Sequence, residues 1–110
     1  MSRYFFIQSS DPLTDRSTDN QFSLIAQLAH KGNDVSLFLV QNGVAPAAIQ
    51  MEYPAFDSLL DKGVKIYADT FSLQQREIDT SQLKKNIEGA ELNLIIQAML
   101  NGEKVIWSQE

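Results

Sequence analysis

The chain contains no cysteine. That absence excludes disulfides, cysteine–zinc sites, iron–sulfur clusters and every mechanism that passes through a thiol or persulfide on this chain. A single histidine, His30, also excludes a multi-histidine metal site, and neither metal nor cofactor is expected. Long apolar runs are missing too. Tyr4-Phe5-Phe6-Ile7 ends at Gln8, too short for a secretory core, and no run approaches the ~18 residues that a membrane span requires. The expectation is a soluble, cytoplasmic protein without a membrane partner. Basic charge is scarce: 9 lysines and arginines face 14 acids, a net −5. Residues 1–55 carry three cations against five acids, and residues 56–110 carry six against nine, so no basic arm hides inside the total. Nucleic acid is disfavoured as a partner. Glycine-rich phosphate loops of the G-x-G-x-x-G or Walker type do not occur, nor does a G-x-S-x-G nucleophile turn.

What is present fits a single α/β domain over residues 1–110. A second core would leave too few residues for either, and 44% hydrophobic with 21% charged residues argues against disorder. Tyr4–Ile7 reads as a buried strand. Ser9 to Thr18 is turn-rich loop, and Thr18-Asp19-Asn20-Gln21 has the form of a capping box opening an amphipathic helix to about Lys31. Gly32 suits the left-handed position past its end. Val35–Val40 reads as a central strand, stopped by Gln41-Asn42-Gly43. Val44 to Ile49 and Ala55 to Lys62 read as helical pieces, and Val64–Ala68 as the third strand. Asp69-Thr70-Phe71-Ser72 opens a short helix to about Arg76, and Thr80 or Ser81 caps a further turn that includes Leu83. Asn86–Glu88 is open between turn and short strand. Ala90–Leu100 reads as a helix with Leu92, Ile95, Ile96 and Met99 on one face, and Lys104–Trp107 as a final strand. Alternating strands and helices imply a three-layer α/β/α sandwich around a mainly parallel sheet of about five strands.

In an open parallel sheet, ligands bind beyond the carboxyl ends of the strands. The loops Gln8–Asp11, Gln41–Gly43 and Asp69–Ser72 occupy such places. Their polarity is equally what any solvated loop requires. His30 reads as a cation near a helix C-terminus. Asp69 at a strand end invites comparison with a phospho-acceptor, but the acidic pair needed after the first strand is replaced by Gln8-Ser9-Ser10. Tyr53, Phe56, Phe71 and Trp107 lie near segment ends, as core residues or as interface anchors.

Two runs carry a resemblance. Gly63-Val64-Lys65-Ile66-Tyr67-Ala68-Asp69 through Leu73-Gln74-Gln75-Arg76 resembles the stretch around the active cysteine of DsrE-like sulfur-relay proteins, and Leu39-Val40-Gln41-Asn42-Gly43-Val44 does likewise. The superfamily is DsrE/DsrF/DsrH, which includes the TusB, TusC and TusD subunits. The turn and the third strand look like the DsrH/TusB branch, the N-terminal layout more like DsrE, and the likeness covers nearly the whole chain. It implies that Asp69 stands at the position of the sulfur-carrying cysteine, and that Glu77 replaces a glycine following Arg76. Aspartate cannot carry a persulfide. The resemblance therefore implies a non-catalytic subunit or binding module associated with sulfur transfer, not an enzyme in its own right. Its assembly would be a homotrimer, a homohexamer, or a hetero-oligomer with cysteine-bearing relatives. The alternative is a small-molecule binder or cysteine-free enzyme. In either case Ser9, Ser10, Asn42, Gly43, Asp69, Thr70 and Arg76 form the candidate cleft.

Overall fold

The computed structural model describes residues 2–108. The Tyr4–Ile7 run forms the middle of β1 (Arg3–Gln8), followed by α1 (Ser17–His30), β2 (Asp34–Leu39), a three-ten segment (Gln41–Ala47) and α2 (Pro54–Asp57). A second three-ten turn (Ser58–Asp61) leads to β3 (Lys65–Asp69), α3 (Thr70–Gln75) and a short turn (Thr80–Gln82). The chain then runs through β4 (Ile87–Ala90), α4 (Asn93–Leu100) and β5 (Lys104–Ser108). All strand pairs are parallel, in the order β4-β3-β2-β1-β5. The expected architecture of three layers around a five-stranded parallel sheet is the one observed.

Strand order decides how the layers fill. The crossovers β1→β2→β3→β4 all move the same way across the sheet, whereas β4→β5 returns over three strands. With right-handed connections the return helix must lie on the opposite face. Alternate strand residues follow: Phe6, Leu37, Leu39 and Ile66 pack with Phe22 and Ile25 of α1 and with Phe56 and Leu59. Phe5, Ile7 and Phe38 pack beneath Ala98, with Leu94, Ile95 and Val105 around them. The first face is thick, and Phe22 meets Phe56 edge to face at 5.6 Å. Each such fully buried phenylalanine contributes about 1.5–3 kcal/mol. The second face has α4 alone.

Several boundaries depart from the sequence reading. Helix α1 begins two residues early, at Ser17, because Asp15 Oδ1 accepts from the Ser17 amide at 3.0 Å and the Thr18 hydroxyl donates to the Asp15 carbonyl at 2.9 Å. The expected Thr18/Gln21 capping box does not form. Gln21 instead donates to the side-chain oxygen of buried Gln8 at 3.0 Å. A capping box does form later, with Asp79 rather than Thr80 or Ser81 as the cap and Gln82 reaching back. Val44–Ile49 is not an α-helix: Pro46 lies inside the segment and supplies no amide hydrogen, so residues 41–47 wind as three-ten. Ala55–Lys62 divides into α2 and the Ser58–Asp61 turn. The open case at residues 86–88 resolves as β4, with Ala90 paired to Asp69, so the last helix starts at Asn93 instead of Ala90. Its face is also redistributed. Ile95 turns toward the sheet, while Leu92, Ile96 and Met99 point outward. Of the four aromatics, Phe56 is core, Tyr53 is half-buried, and Phe71 and Trp107 are exposed.

Candidate functional site

The carboxyl ends of β1, β2 and β3 are tied together by a short chain of polar contacts. Asp69 ends β3 and caps α3. Its Oδ2 accepts from the Ser72 amide at 3.0 Å and from the Ser72 hydroxyl at 2.6 Å. The Ser72 oxygen accepts in turn from the Gln41 amide at 2.8 Å. Gln41 opens the crossover after β2 with φ +52, a left-handed conformation that costs a non-glycine residue about 1–2 kcal/mol. The surrounding bonds hold it there. Beside it, Arg76 donates to the Ser72 carbonyl at 3.2 Å and to Asn42 Oδ1 at 2.8 Å. Gly43 completes the junction with β1. A Cβ at this position would stand 2.4 Å from the Gln8 carbonyl oxygen, the same oxygen that accepts from the Val40 amide.

The candidate residues therefore fall into two groups. Asn42 and Arg76 pair directly, and Gly43 packs on the backbone of Gln8 and Ser9. Ser9 and Ser10 follow β1 as half-buried loop. Asp69 and Thr70 belong elsewhere: they line an open cleft of about 470 Å³ with Phe71, Gln74, Glu91, Leu92 and Asn93. Asp69 is only 4% exposed, and one carboxylate oxygen accepts both Ser72 bonds. The cleft walls offer carboxylates, amides, a hydroxyl and two apolar side chains, with no thiol or imidazole among them. Among the described residues, no group of three His, Cys, Asp or Glu is placed to hold a metal ion. No helix among them is long and apolar enough to cross a membrane.

Ser72, Gln41 and Gln8 lie in the three loops that the sequence singled out, but not among the residues it placed in the candidate cleft. Ser72 carried one usable signal, its position three residues after a strand-ending aspartate, where an N-cap finds its amide. Gln8 gave none. It is fully buried at the end of β1, and its amide nitrogen has no partner among the described residues.

The C-terminus of α3 carries a strain that can be measured. The Ile78 amide donates to the Leu73 carbonyl at 2.9 Å and the Glu77 amide to Gln74 at 3.1 Å, a Schellman closure with Glu77 at φ +56. Helices α1 and α4 close with the same bonds, but on Gly32 and Gly102. Glu77→Gly is expected to stabilise the protein by about 0.5–1 kcal/mol, raising the melting temperature by roughly 3–6 °C. A melt at or below that of the parent would mean that the Glu77 side chain contributes more than the strain costs.

The sequence profile of the DsrE/DsrF-like family matches residues 2–108. No curated protein matches the chain in sequence. Among solved structures, the ychN protein from E. coli is similar in fold, with a TM-score of 0.87 and 20% identity over 98% of this chain and 100% of that one. The protein of unknown function MTH1491 from Methanobacterium thermoautotrophicum superposes with a TM-score of 0.85 and 18% identity, again covering 98% of this chain and all of its own. By a profile match that spans nearly every residue, the chain belongs to the DsrE/DsrF-like family.

Proposed function

We propose that this protein is a non-catalytic DsrE-like subunit or binding module, associated with intracellular sulfur transfer through its assembly partners. The observation that carries the reading is Asp69. At the place where the resemblance puts the sulfur-carrying cysteine, the chain has a carboxylate that is buried and engaged in capping α3. A persulfide carrier needs a thiolate that accepts and releases sulfur, and no residue of this chain supplies one. Its partners are further copies of itself, as a trimer or hexamer, or cysteine-bearing DsrE-like subunits in a hetero-oligomer. Exposed Phe71 and Trp107 support association, since large aromatics are favoured anchors at interfaces.

A second reading is a small-molecule binder or a cysteine-free enzyme, favoured by the volume and mixed lining of the cleft beside Thr70. Two measurements test the first reading. Light scattering at micromolar concentration is expected to give a multiple of 12.4 kDa; a clean monomer removes the assembly claim. Incubation with a radiolabelled persulfide donor is expected to leave the chain unlabelled, and stable covalent label would overturn the non-catalytic role.

A further inference from the structure

Helix α4 has the sequence Asn-Leu-Ile-Ile-Gln-Ala-Met-Leu, with only Asn93 and Gln97 polar. A helix that is apolar around most of its circumference belongs between two covered surfaces. Only one is present in a single copy of the chain. Leu94, Ile95 and Ala98 rest on Phe5, Ile7 and Phe38 of the sheet. On the opposite side Leu92, Ile96, Met99 and Leu100 are 55%, 60%, 58% and 81% exposed. Their spacing of three and four residues makes them one stripe. Phe71, 63% exposed, shares the cleft with Leu92 and extends the stripe beyond the helix.

We propose that the outer face of α4 is a two-fold contact between two copies of this chain, α4 running antiparallel to α4, so that the protein assembles in even numbers. The proposal rests on the reading of the chain as an oligomer and names its surface. Area is the first argument. The five side chains expose on the order of 500 Å² of apolar surface, near the upper end of what the largest patch of a typical monomer shows. That is most of the ~800 Å² per partner that a standard interface buries. Trp107, 54% exposed and paired in register with Ile7, adds apolar area on the same face of the sheet.

Charge is the second argument. The stripe holds no charged residue although the chain carries −5, so two copies can meet there without setting like charges against each other. Its two ends differ in sign. Glu91 stands exposed just before the N-terminus of α4, and the Arg3 guanidinium donates to the Asn101 carbonyl at the other end. An antiparallel pairing brings Glu91 of one copy toward Arg3 of the other and opposes the helix dipoles; a parallel pairing would set Glu91 against Glu91. The same patch then serves both partners, as a two-fold interface requires.

The absence of cysteine gives a clean test. Ile96 lies at the middle of the stripe, so the two-fold places it beside its own copy. Packed helices approach to 8–10 Å between axes with Cα atoms about 2.3 Å off each axis, which leaves facing positions within reach of a disulfide. Ile96→Cys is expected to form a covalent pair when treated with diamide, which takes up the two electrons and two protons. Leu24→Cys, on exposed α1, is expected not to. Ile96 is 60% exposed and belongs to neither core cluster, so Ile96→Lys is expected to keep its circular dichroism spectrum while weakening self-association by about 30-fold or more. If the parent is oligomeric but Ile96→Lys assembles like the parent, or Ile96→Cys does not cross-link, or the assembly is odd-numbered, the α4 contact is wrong while the oligomer reading stands. A parent that stays at 12.4 kDa overturns both.

Discussion

Replacing Gly43 by alanine is expected to destabilise the protein by about 3 kcal/mol and to lower its melting temperature by roughly 10–15 °C. The added Cβ would sit 2.4 Å from the Gln8 carbonyl oxygen and 3.1 Å from its carbon. Both are backbone atoms of a central strand, so neither can swing aside as a flexible side chain would. The carbonyl already accepts from the Val40 amide, which fixes it in the β1–β2 ladder. Relief must come from shifting the whole 41–47 segment, and that disturbs Gln41 and the bond it donates to Ser72. Gly32→Ala is the informative comparison. Gly32 lies at φ +89 with nothing within 4 Å of an added Cβ, so only the left-handed backbone is penalised, at about 1 kcal/mol. A thermal melt in which Gly43→Ala loses no more than Gly32→Ala would show that the ends of β1 and β2 are not held in register as described. A domain of this size has about 5–15 kcal/mol in all, so 3 kcal/mol is a large share.

Asp69→Ala should cost about 2–3 kcal/mol, seen as a melting temperature lower by roughly 8–15 °C. Loss of an N-cap alone accounts for about 1 kcal/mol. The remainder comes from Ser72, whose hydroxyl is buried and donates only to Asp69 while accepting from Gln41. Without the carboxylate that donor is left unpaired in the interior. Asp69→Asn and Asp69→Ser are expected to recover part of the loss, because each retains an oxygen able to cap, Asn more fully because its oxygen reaches as far. The result that defeats this account is an alanine variant that melts like the parent but no longer binds an assembly partner in a pull-down. Asp69 would then belong to a binding surface rather than to the α3 cap.

Much of the fold could be read directly. Tyr4–Ile7, Val35–Val40 and Val64–Ala68 are largely apolar runs of strand length, interrupted only by Ser36 and Lys65, and each became a strand to within a residue or two because a parallel strand is mostly buried on both faces. Gly32 and Gly102 marked helix ends for a local reason, the left-handed closure that glycine adopts freely. The same closure at Glu77 was hidden, since nothing about glutamate signals positive φ. Thr18 and Gln21 looked like a capping box and were not one. Asp15 started the helix earlier, and a buried Gln8 thirteen residues away claimed the Gln21 side chain. In the candidate site, the Asn42–Arg76 contact joins residues that sequence reading had named but could not pair, 34 positions apart.

The sequence by itself determined two things: that no thiol chemistry can run on this chain, because composition needs no coordinates, and that strands alternate with helices around a parallel sheet, because burial on both faces leaves a continuous apolar signature. Only the tertiary structure decided that the Asp69 cap is buried and joined through Ser72 to Gln41, and that α4 keeps an apolar face uncovered. The uncovered face of α4 follows from strand order. The return from β4 to β5 crosses three strands with one eight-residue helix, so that face of the sheet receives a single thin layer, and which side of α4 meets the sheet depends on that crossing rather than on the spacing of its residues.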